Sequence, residues 1–407
     1  MIPQPEALTA TAMVSVEAGS KYETKEINGL SHFLEHMVFK GTRKRPTALE
    51  ITSELDGLGA QYNAFTSQES TSYFAKVKKD NFGEILDVVS DMYVDPIFAQ
   101  AEIEKERGVI VQELNMYEDT PMRKVQDIFM QAVYGDQPAG WDIGGRKEVI
   151  QKLTRDDFTA YRKKHYLPQA TIVTLSGKFD PKRALKDVER HFSVLAPGVK
   201  GKKPAVKESQ TKPKELVRFK DVDQSHIVMG FRAFNARDER KYALQLAAEI
   251  LGGGMSSRLF QKIREELGAA YYVRCEPDLY TDHGLIQMSA GLDHEKIEVA
   301  IKAALEEFAR LKSEKVDAKD LKKAKEHFIG ELFLSLEGSD DIAGFYASAE
   351  LLGLPLQTPE ALAKKVNAIT AAEVQAVARQ VFTDRNLNLA VIGPFKSGRS
   401  FLPLLKI

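Results

Sequence analysis

The sequence lacks several features that would place it in common protein classes. Its single cysteine, Cys275, excludes an intrachain disulfide and a zinc site built from several thiolates. No apolar run approaches the roughly 18 residues that a membrane-spanning helix needs. The formal net charge is -1, from 57 Lys and Arg against 58 Asp and Glu, so no excess of positive charge favours nucleic acid as a partner. Any metal site must therefore use His, Asp and Glu.

The start of the chain, Met1–Glu6, also lacks the basic and then apolar pattern of a secretory signal peptide. This lack slightly favours the cytoplasm, although the compartment is left open. At 407 residues the chain is long enough for two domains with separate hydrophobic cores.

An internal repeat supports two domains. Thr154, followed three residues later by an acidic side chain, is predicted to cap a helix, and the strand that follows the helix ends at Gly177. Thr370 and Gly393 repeat this pattern at the same spacing. We therefore expect a first lobe over residues 1–198 and a second over residues 215–407. The Lys- and Pro-rich segment 199–214 has no apolar periodicity and is predicted to be an exposed linker.

Each half reads as a strand, two helices, a hairpin, further helices and a last strand. In the first half the hairpin is predicted over 61–66 and 71–77, and in the second over 269–280 and 284–292. Hairpins grouped apart from helices favour an antiparallel sheet with helices on one face. The expected fold class is α+β, with two duplicated lobes of this kind.

The run His32-Phe33-Leu34-Glu35-His36 carries the clearest chemical signal. Capping and periodicity predict a helix here, so that His32 and His36 lie one turn apart on the same face and can bind one ion. Glu35 can then reach a water on that ion. The alternative is that both histidines are ordinary polar residues, but their neighbours are apolar, and burying them without a ligand would cost desolvation.

The order His-x-x-Glu-His is the inverted form of the zinc peptidase motif. With its flanks, from Gly29 to Thr42, the sequence resembles the pitrilysin/insulinase-type metallopeptidases. The resemblance is to their processing-peptidase branch, which includes the mitochondrial processing peptidase and bacterial relatives. It implies one zinc ion per chain, held by His32, His36 and a third ligand at Glu113. Glu106, seven residues earlier on the same helix, is implied to be a catalytic-site carboxylate that orients the ligands.

The resemblance also implies how a substrate binds. Asn63, Ala64 and Phe65 match the family's edge strand, to which an extended peptide adds by backbone pairing. Arg264 and Tyr271 match a pair in the second lobe that holds the substrate and its tetrahedral intermediate. Glu35 is implied to be the general base of a zinc-dependent endopeptidase.

The second half has no histidine in the segment that corresponds to the motif, Tyr242–Leu251, so no metal is expected there. Glu331 occupies the position in the second copy that Glu113 occupies in the first, and we interpret it as a remnant of the duplication. The glycine-rich segment Gly252–Arg258 lacks the Gly-Lys-Ser/Thr ending of a phosphate-binding loop and follows a helix, so that interpretation is rejected.

Assembly is also implied by the resemblance. Relatives carry four lobes, either in one chain or in two, and this chain supplies two, so two chains are expected to enclose a chamber for unfolded peptides. A homodimer is favoured over a heterodimer because one chain holds both the zinc motif and the Arg264/Tyr271 pair. Relatives usually have a further strand before the segment equivalent to Ile2–Pro5, so that strand, with any signal peptide, is expected to precede residue 1. The alternative function is a non-catalytic scaffold or partner subunit of a peptidase-like assembly.

Overall fold

A computed structural model describes residues 1–396 and 398–407. The strands are β1 (Ile2–Pro3), β2 (Thr9–Val16), β3 (Gln61–Thr66), β4 (Thr71–Lys78), β5 (Thr171–Gly177), β6 (Lys214–Phe219), β7 (Ser225–Ala233), β8 (Ala270–Leu279), β9 (Gly284–Leu292) and β10 (Leu387–Gly393). The α-helices are α1 (Leu30–Val38), α2 (Ala48–Gly57), α3 (Phe82–Val94), α4 (Gln100–Glu118), α5 (Pro121–Tyr134), α6 (Lys147–Ile150), α7 (Arg155–His165), α8 (Pro181–Phe192), α9 (Lys241–Gly252), α10 (Ile297–Ser313), α11 (Ala318–Leu334), α12 (Ser339–Leu351), α13 (Pro359–Ala368) and α14 (Ala371–Val381). A π-helical segment spans Phe260–Glu266.

The chain forms two compact units. The first consists of Met1–Met116, Trp141–Pro204 and Ser335–Leu356, and the second of Tyr117–Gly140, Ala205–Leu334 and Gln357–Ile407. These units differ from the contiguous lobes expected from the sequence, because α5 packs in the second unit and α12 in the first. The segment between Gly198 and β6 has no regular secondary structure and is mainly exposed.

Both units contain a five-stranded sheet with the same topology. The strand orders are β1-β5-β2-β4-β3 and β6-β10-β7-β9-β8. The α+β fold expected from the sequence is confirmed, but the expectation of a purely antiparallel sheet is wrong at one edge. There β1 runs parallel to β5, and β6 runs parallel to β10. These two strands lie outside the hairpins and apolar segments from which the antiparallel pattern was inferred.

The expectation that helices cover one face of each sheet is also wrong. In the first sheet Tyr73 contacts Tyr93 of α3, whereas its neighbour Phe74 packs with Ala343 of α12. Successive side chains of a strand point to opposite faces, so the two helices cover the two faces. The reason is visible in β2, where every residue from Ala10 to Val16 is buried. Such a strand needs a partner on each side.

The second sheet is covered in the same way. In β10, Leu389 and Val391 belong to the core that contains α9, α10 and α14, whereas Ala390 and Ile392 pack against α5. All seven residues of β10 are buried. No helix in the described ranges is both long enough and apolar enough to cross a bilayer.

Candidate metal centre

Helix α1, which carries the His-x-x-Glu-His run, begins at an unusual cap. Gly29 occupies the N-cap position with φ of 100°, a left-handed conformation that glycine adopts without strain, and it has no side chain to cap the helix. Glu23 supplies the cap instead: its carboxylate accepts hydrogen bonds from the backbone N–H of Gly29 at 2.7 Å and of Ser31 at 2.6 Å. Asn28 also donates to Glu23, at 3.0 Å. This buried network fixes the N-terminus of α1, close to His32.

Because Glu23 is fully buried, its pKa is raised to about 7, against the effect of the hydrogen bonds from Asn28, Gly29 and Ser31. Burial disfavours the charged carboxylate, and the hydrogen bonds only partly offset this. Capping and periodicity in the sequence predicted the helix but not the role of Glu23.

His32 and His36 lie on one face of α1, with ring centroids 4.8 Å apart. Glu113 of α4 faces both rings: its Oε2 lies 3.6 Å from Nε2 of His32 and 3.5 Å from Nε2 of His36. Tetrahedral ligands at zinc–ligand distances of about 2.05 Å would be about 3.3 Å apart. Two imidazole nitrogens and one carboxylate oxygen therefore converge in a set that fits zinc in both chemistry and spacing.

Glu106, one of the residues singled out in the sequence, contacts the other nitrogen of His36. Its Oε1 lies 2.8 Å from Nδ1, and its Oε2 lies 2.6 Å from Nζ of Lys40. With Nδ1–H donating to this carboxylate, the Nε2 lone pair is directed towards Glu113. Burial raises the pKa of Glu106, but the hydrogen bonds from His36 and Lys40 outweigh it, and the net pKa is lowered. The carboxylate is thus held in its charged form.

Glu35 projects beside the two histidines and is held by the edge strand. Thr66 of β3 donates a hydrogen bond from Oγ1 to Oε2 of Glu35 at 2.6 Å. Burial raises the pKa of Glu35, and the bond from Thr66 and the charge of His36 partly counter this. A carboxylate with a raised pKa next to a candidate metal centre is suited to accept and return a proton.

Strand β3 is the terminal strand of the first sheet, paired with β4 on one side. Asn63 and Phe65 point away from the interior and are exposed, and Ala64 is half-buried. The side-chain oxygen of Asn63 accepts a hydrogen bond from the N–H of Ala64 at 2.9 Å. The strand that the resemblance assigned to substrate binding therefore lies at a sheet edge and leads directly to Thr66 and the metal centre.

Arg264 and Tyr271 belong to the second unit. Arg264 lies in the π-helical segment, and its guanidinium stacks 4.7 Å from the ring centroid of Phe260. Tyr271 lies in β8, the terminal strand of the second sheet, with 74% of its surface exposed.

Two further residues of the centre were not assigned from the sequence. Lys40 lies two residues past the end of α1, in the turn that follows the helix. Thr66 directly follows the Asn63–Phe65 segment as the last residue of β3, and no role was predicted for it from the sequence. Their roles follow only from the folded structure, in which Lys40 contacts Glu106 of α4 and Thr66 of β3 contacts Glu35 of α1.

Two family models and several known proteins match this chain. The family model described as insulinase (peptidase family M16) matches residues 2–146, and the one described as the peptidase M16 inactive domain matches residues 152–328. The zinc protease YmxG of Bacillus subtilis is 36% identical over 381 residues, covering 94% of this chain and 92% of its own. A zinc protease of Streptomyces coelicolor is 31% identical over 398 residues, covering 96% and 86%.

Solved structures show the same fold. A protease from Helicobacter pylori matches with a TM-score of 0.89 at 22% identity, covering 96% of each chain. A peptidase M16 inactive domain from Pseudomonas fluorescens matches with a TM-score of 0.88 at 18% identity, covering 98% of this chain and 96% of that one. A chain of complex III2 from Candida albicans matches with a TM-score of 0.84 at 18% identity, covering 99% and 95%.

Proposed function

Because the chain belongs to the insulinase family of peptidases, family M16, we propose that it is a zinc-dependent endopeptidase that hydrolyses unfolded peptides or precursor segments. One observation carries the proposal. His32, His36 and Glu113 each offer a ligand atom to a common point, and these atoms lie within 4.8 Å of one another. Glu35 projects from the same helix beside them.

His32, His36 and Glu113 would hold one zinc ion, with Glu106 orienting His36 through Nδ1. Bound there, zinc would lower the pKa of water and polarise the carbonyl of the peptide to be cleaved. The three protein ligands leave a fourth position for water or substrate, as catalytic zinc sites require.

Glu35 is the general base of the proposed reaction. It accepts a proton from the attacking water and returns it to the nitrogen of the leaving amine, so the peptide C–N bond breaks without a covalent enzyme intermediate. Thr66 holds the carboxylate in position through the bond to Oε2. Burial raises the pKa of Glu35, which makes the return of the proton easier.

The substrate would add to the exposed edge of β3 as an extended strand. Backbone pairing along Asn63, Ala64 and Phe65 gives affinity with little sequence selectivity, in keeping with unfolded peptides as substrates. Arg264 and Tyr271 are proposed to bind the substrate and its tetrahedral intermediate, since an arginine can donate two hydrogen bonds to a developing oxyanion.

The finer placement in the processing-peptidase branch rests on the flank Gly29–Thr42. We also propose a homodimer, because one chain carries both the metal centre and the Arg264/Tyr271 pair. Light scattering on the purified chain tests this: a mass of twice 45.5 kDa is expected. A chain that stays monomeric and inactive until a second, different subunit is added would establish the heterodimer.

The decisive experiment is cleavage of an unfolded fluorogenic peptide by the zinc-loaded protein, with and without a chelator. We expect cleavage that the chelator abolishes and added zinc restores. Glu35→Gln should retain zinc but lose activity by a factor of about 10² or more. Glu84→Gln, an exposed carboxylate of α3, is the matched control and should cleave normally.

The alternative, a non-catalytic scaffold or partner subunit, makes the opposite prediction. A protein that binds one zinc per chain but cleaves no unfolded peptide would support it. The presence of the complete set His32, Glu35, His36 and Glu113 favours the peptidase, because a scaffold needs none of these side chains.

A further inference from the structure

A second cluster of metal-ligating side chains lies in the second unit, away from the centre described above. Glu249 of α9 and His327 and Glu331 of α11 each offer one ligand atom, and these atoms lie within 4.8 Å of one another. Nε2 of His327 lies 3.6 Å from Oε1 of Glu331, and Nδ1 lies 3.0 Å from Oε2 of Glu249. A histidine is thus flanked by a carboxylate at each ring nitrogen.

The cluster occupies the topological position of the first centre. In the first unit α1 follows the middle strand β2, and α4 is the second helix after the β3–β4 hairpin. In the second unit α9 follows the middle strand β7, and α11 is the second helix after the β8–β9 hairpin. The two clusters therefore join corresponding pairs of helices.

The ligands are distributed in the opposite way between the helices. In the first unit the two residues one turn apart, His32 and His36, are on the earlier helix and the single Glu113 is on the later one. In the second unit the pair one turn apart, His327 and Glu331, is on the later helix and the single Glu249 is on the earlier one. The missing histidine in Tyr242–Leu251 therefore does not exclude a metal, because α11 supplies a histidine instead.

The contacts around His327 repeat those around His36. His36 has Glu106 at Nδ1 and Glu113 at Nε2, at 2.8 Å and 3.5 Å. His327 has Glu249 at Nδ1 and Glu331 at Nε2, at 3.0 Å and 3.6 Å. Glu249 differs from Glu106 in one respect: it offers a ligand atom within 4.8 Å of those of His327 and Glu331, so it can bind the ion itself.

Glu249 is a buried acid without a lysine or arginine partner. Only 8% of its side chain is exposed, and in the described part of the chain no lysine or arginine comes within ion-pair distance of it. Three of the cations that line the neighbouring cavity pair with other acids: Lys262 with Glu266, Arg310 with Glu314, and Lys323 with Asp320. A buried carboxylate in this setting is stabilised by a cation.

The glycine-rich segment provides the space for this cluster. A Cβ at Gly253 would lie 1.9 Å from Oε2 of Glu249, and one at Gly254 would lie 3.2 Å from Nε2 of His327. The cluster opens into a cavity of about 330 Å³, which leaves room for water on a bound ion. The glycines of the Gly252–Arg258 segment, which is not a phosphate-binding loop, therefore leave room for the side chains of Glu249 and His327.

We propose that Glu249, His327 and Glu331 form a second site for a divalent transition-metal ion, weaker than the first centre. One imidazole nitrogen and carboxylate oxygens suit zinc or manganese. With one histidine instead of two, and with Glu331 exposed, the site should exchange its ion readily. This site is independent of peptidase activity, so its test does not depend on the proposed function.

The test is equilibrium dialysis of the metal-free protein against Zn²⁺ at a series of free concentrations, with the bound metal counted per chain. We expect two binding events, a tight one and a weaker one. His327→Ala should bind one ion only, and Glu249→Gln should weaken the second event about tenfold. The matched controls are His191→Ala on α8 and Glu326→Gln, an exposed neighbour on α11, and both should bind as the unchanged protein does.

His36→Ala isolates the second site, because it removes a ligand of the first: one weaker binding event should remain. If the unchanged protein and His327→Ala bind the same number of ions with the same affinities, the proposal is overturned. Thermal unfolding with and without Zn²⁺ gives a second readout. The stabilisation at Zn²⁺ concentrations that fill the weaker site should be absent in His327→Ala, and equal stabilisation of both proteins would also overturn the proposal.

Discussion

Oε1 of Glu106 lies 2.8 Å from Nδ1 of His36, so the carboxylate reaches the candidate metal ligand from the side opposite to Glu113. Lys40 holds the second oxygen of Glu106 at 2.6 Å. This chain of contacts fixes both the tautomer and the orientation of the ring. It makes the metal affinity depend on a residue that is not itself a ligand.

Replacing Glu106 with Gln should therefore weaken zinc binding by about 10- to 100-fold without unfolding the protein. The amide can still accept from Nδ1–H, but the charge that supports the imidazole is lost. Affinity is measured by competition with a chromogenic chelator. Glu102→Gln, a more exposed acid on the same helix, is the control and should bind zinc normally. Equal affinities for both variants would show that Glu106 does not orient His36.

Replacing Thr66 with Val should reduce the proposed peptidase activity by about tenfold or more while zinc remains bound. A hydrogen bond to a charged group contributes about 1.5–3 kcal/mol, and Val keeps the shape of Thr but removes the donor to Glu35. Peptide cleavage and zinc content are measured on the same samples. Thr66→Ser retains the hydroxyl and should recover most of the activity. If Ser is as impaired as Val, packing rather than the hydrogen bond is responsible.

The pKa of Glu23, raised by burial from 4.5 to about 7, predicts a pH dependence of stability. The folded protein binds a proton here more tightly than the unfolded chain does. The stabilisation is therefore complete below about pH 4.5 and is lost as the pH rises through 7. Between pH 5 and 7.5 the loss should be on the order of 2 kcal/mol in the free energy of unfolding.

Glu23→Gln removes this titration, so the stability of the original protein relative to the variant should fall as the pH rises. Urea unfolding at pH 5 and 7.5 measures the difference at each pH. A difference that is the same at both pH values would show that the folded-state pKa of Glu23 is not raised.

Removing zinc from the first centre, His32, His36 and Glu113, should lower the thermal stability of the protein. An ion that binds the folded state alone adds RT ln(1 + [L]/Kd) to stability, about 4 kcal/mol at 1,000 times Kd. We expect a chelator to lower the Tm of the zinc-loaded protein by several degrees. It should have a much smaller effect on His32→Ala. The same shift in both proteins would place the stabilising ion elsewhere.

Much of the secondary structure could be predicted from the sequence because the signals are local. The capping box at Thr370 is formed, and at Thr154 the carboxylate of Asp157 accepts from the backbone N–H of Thr154. The hairpins β3–β4 and β8–β9 lie within a residue or so of their expected bounds. These features depend on residues a few positions apart in the sequence, and apolar periodicity and capping motifs are patterns over such short separations.

The parts that were not predicted depend on contacts between distant segments. Glu23 caps α1 across a turn, so no cap motif marks it. The His32/His36 pair was visible at helical spacing, but Glu113 and Glu106 came only from the family resemblance, since an acid on an amphipathic helix is normally solvated. His327 was missed because a metal ligand was sought only in α9, the counterpart of α1, whereas His327 lies on α11.

The exchange of α5 and α12 between the units leads to the last prediction. A fragment of residues 1–204 contains all of the first sheet but lacks α12, so Met13 and Phe74 lose their partners Ala343 and Ala347. It also retains α5, whose apolar face packs on the second sheet through Phe129. Both surfaces would be exposed to water, and contiguous apolar patches of this kind lead to aggregation.

We therefore expect this fragment to be aggregation-prone, to bind a hydrophobic dye and to unfold without a cooperative transition, whereas the full chain unfolds cooperatively. A matched fragment in which 117–140 is replaced by a short glycine–serine linker and residues 335–356 are fused after residue 204 restores the contacts of the first unit. It should be soluble, unfold cooperatively and bind one zinc ion at His32, His36 and Glu113. If residues 1–204 alone are monomeric and cooperative, the lobes are contiguous folding units, and the exchanged helices add stability without being needed for the fold.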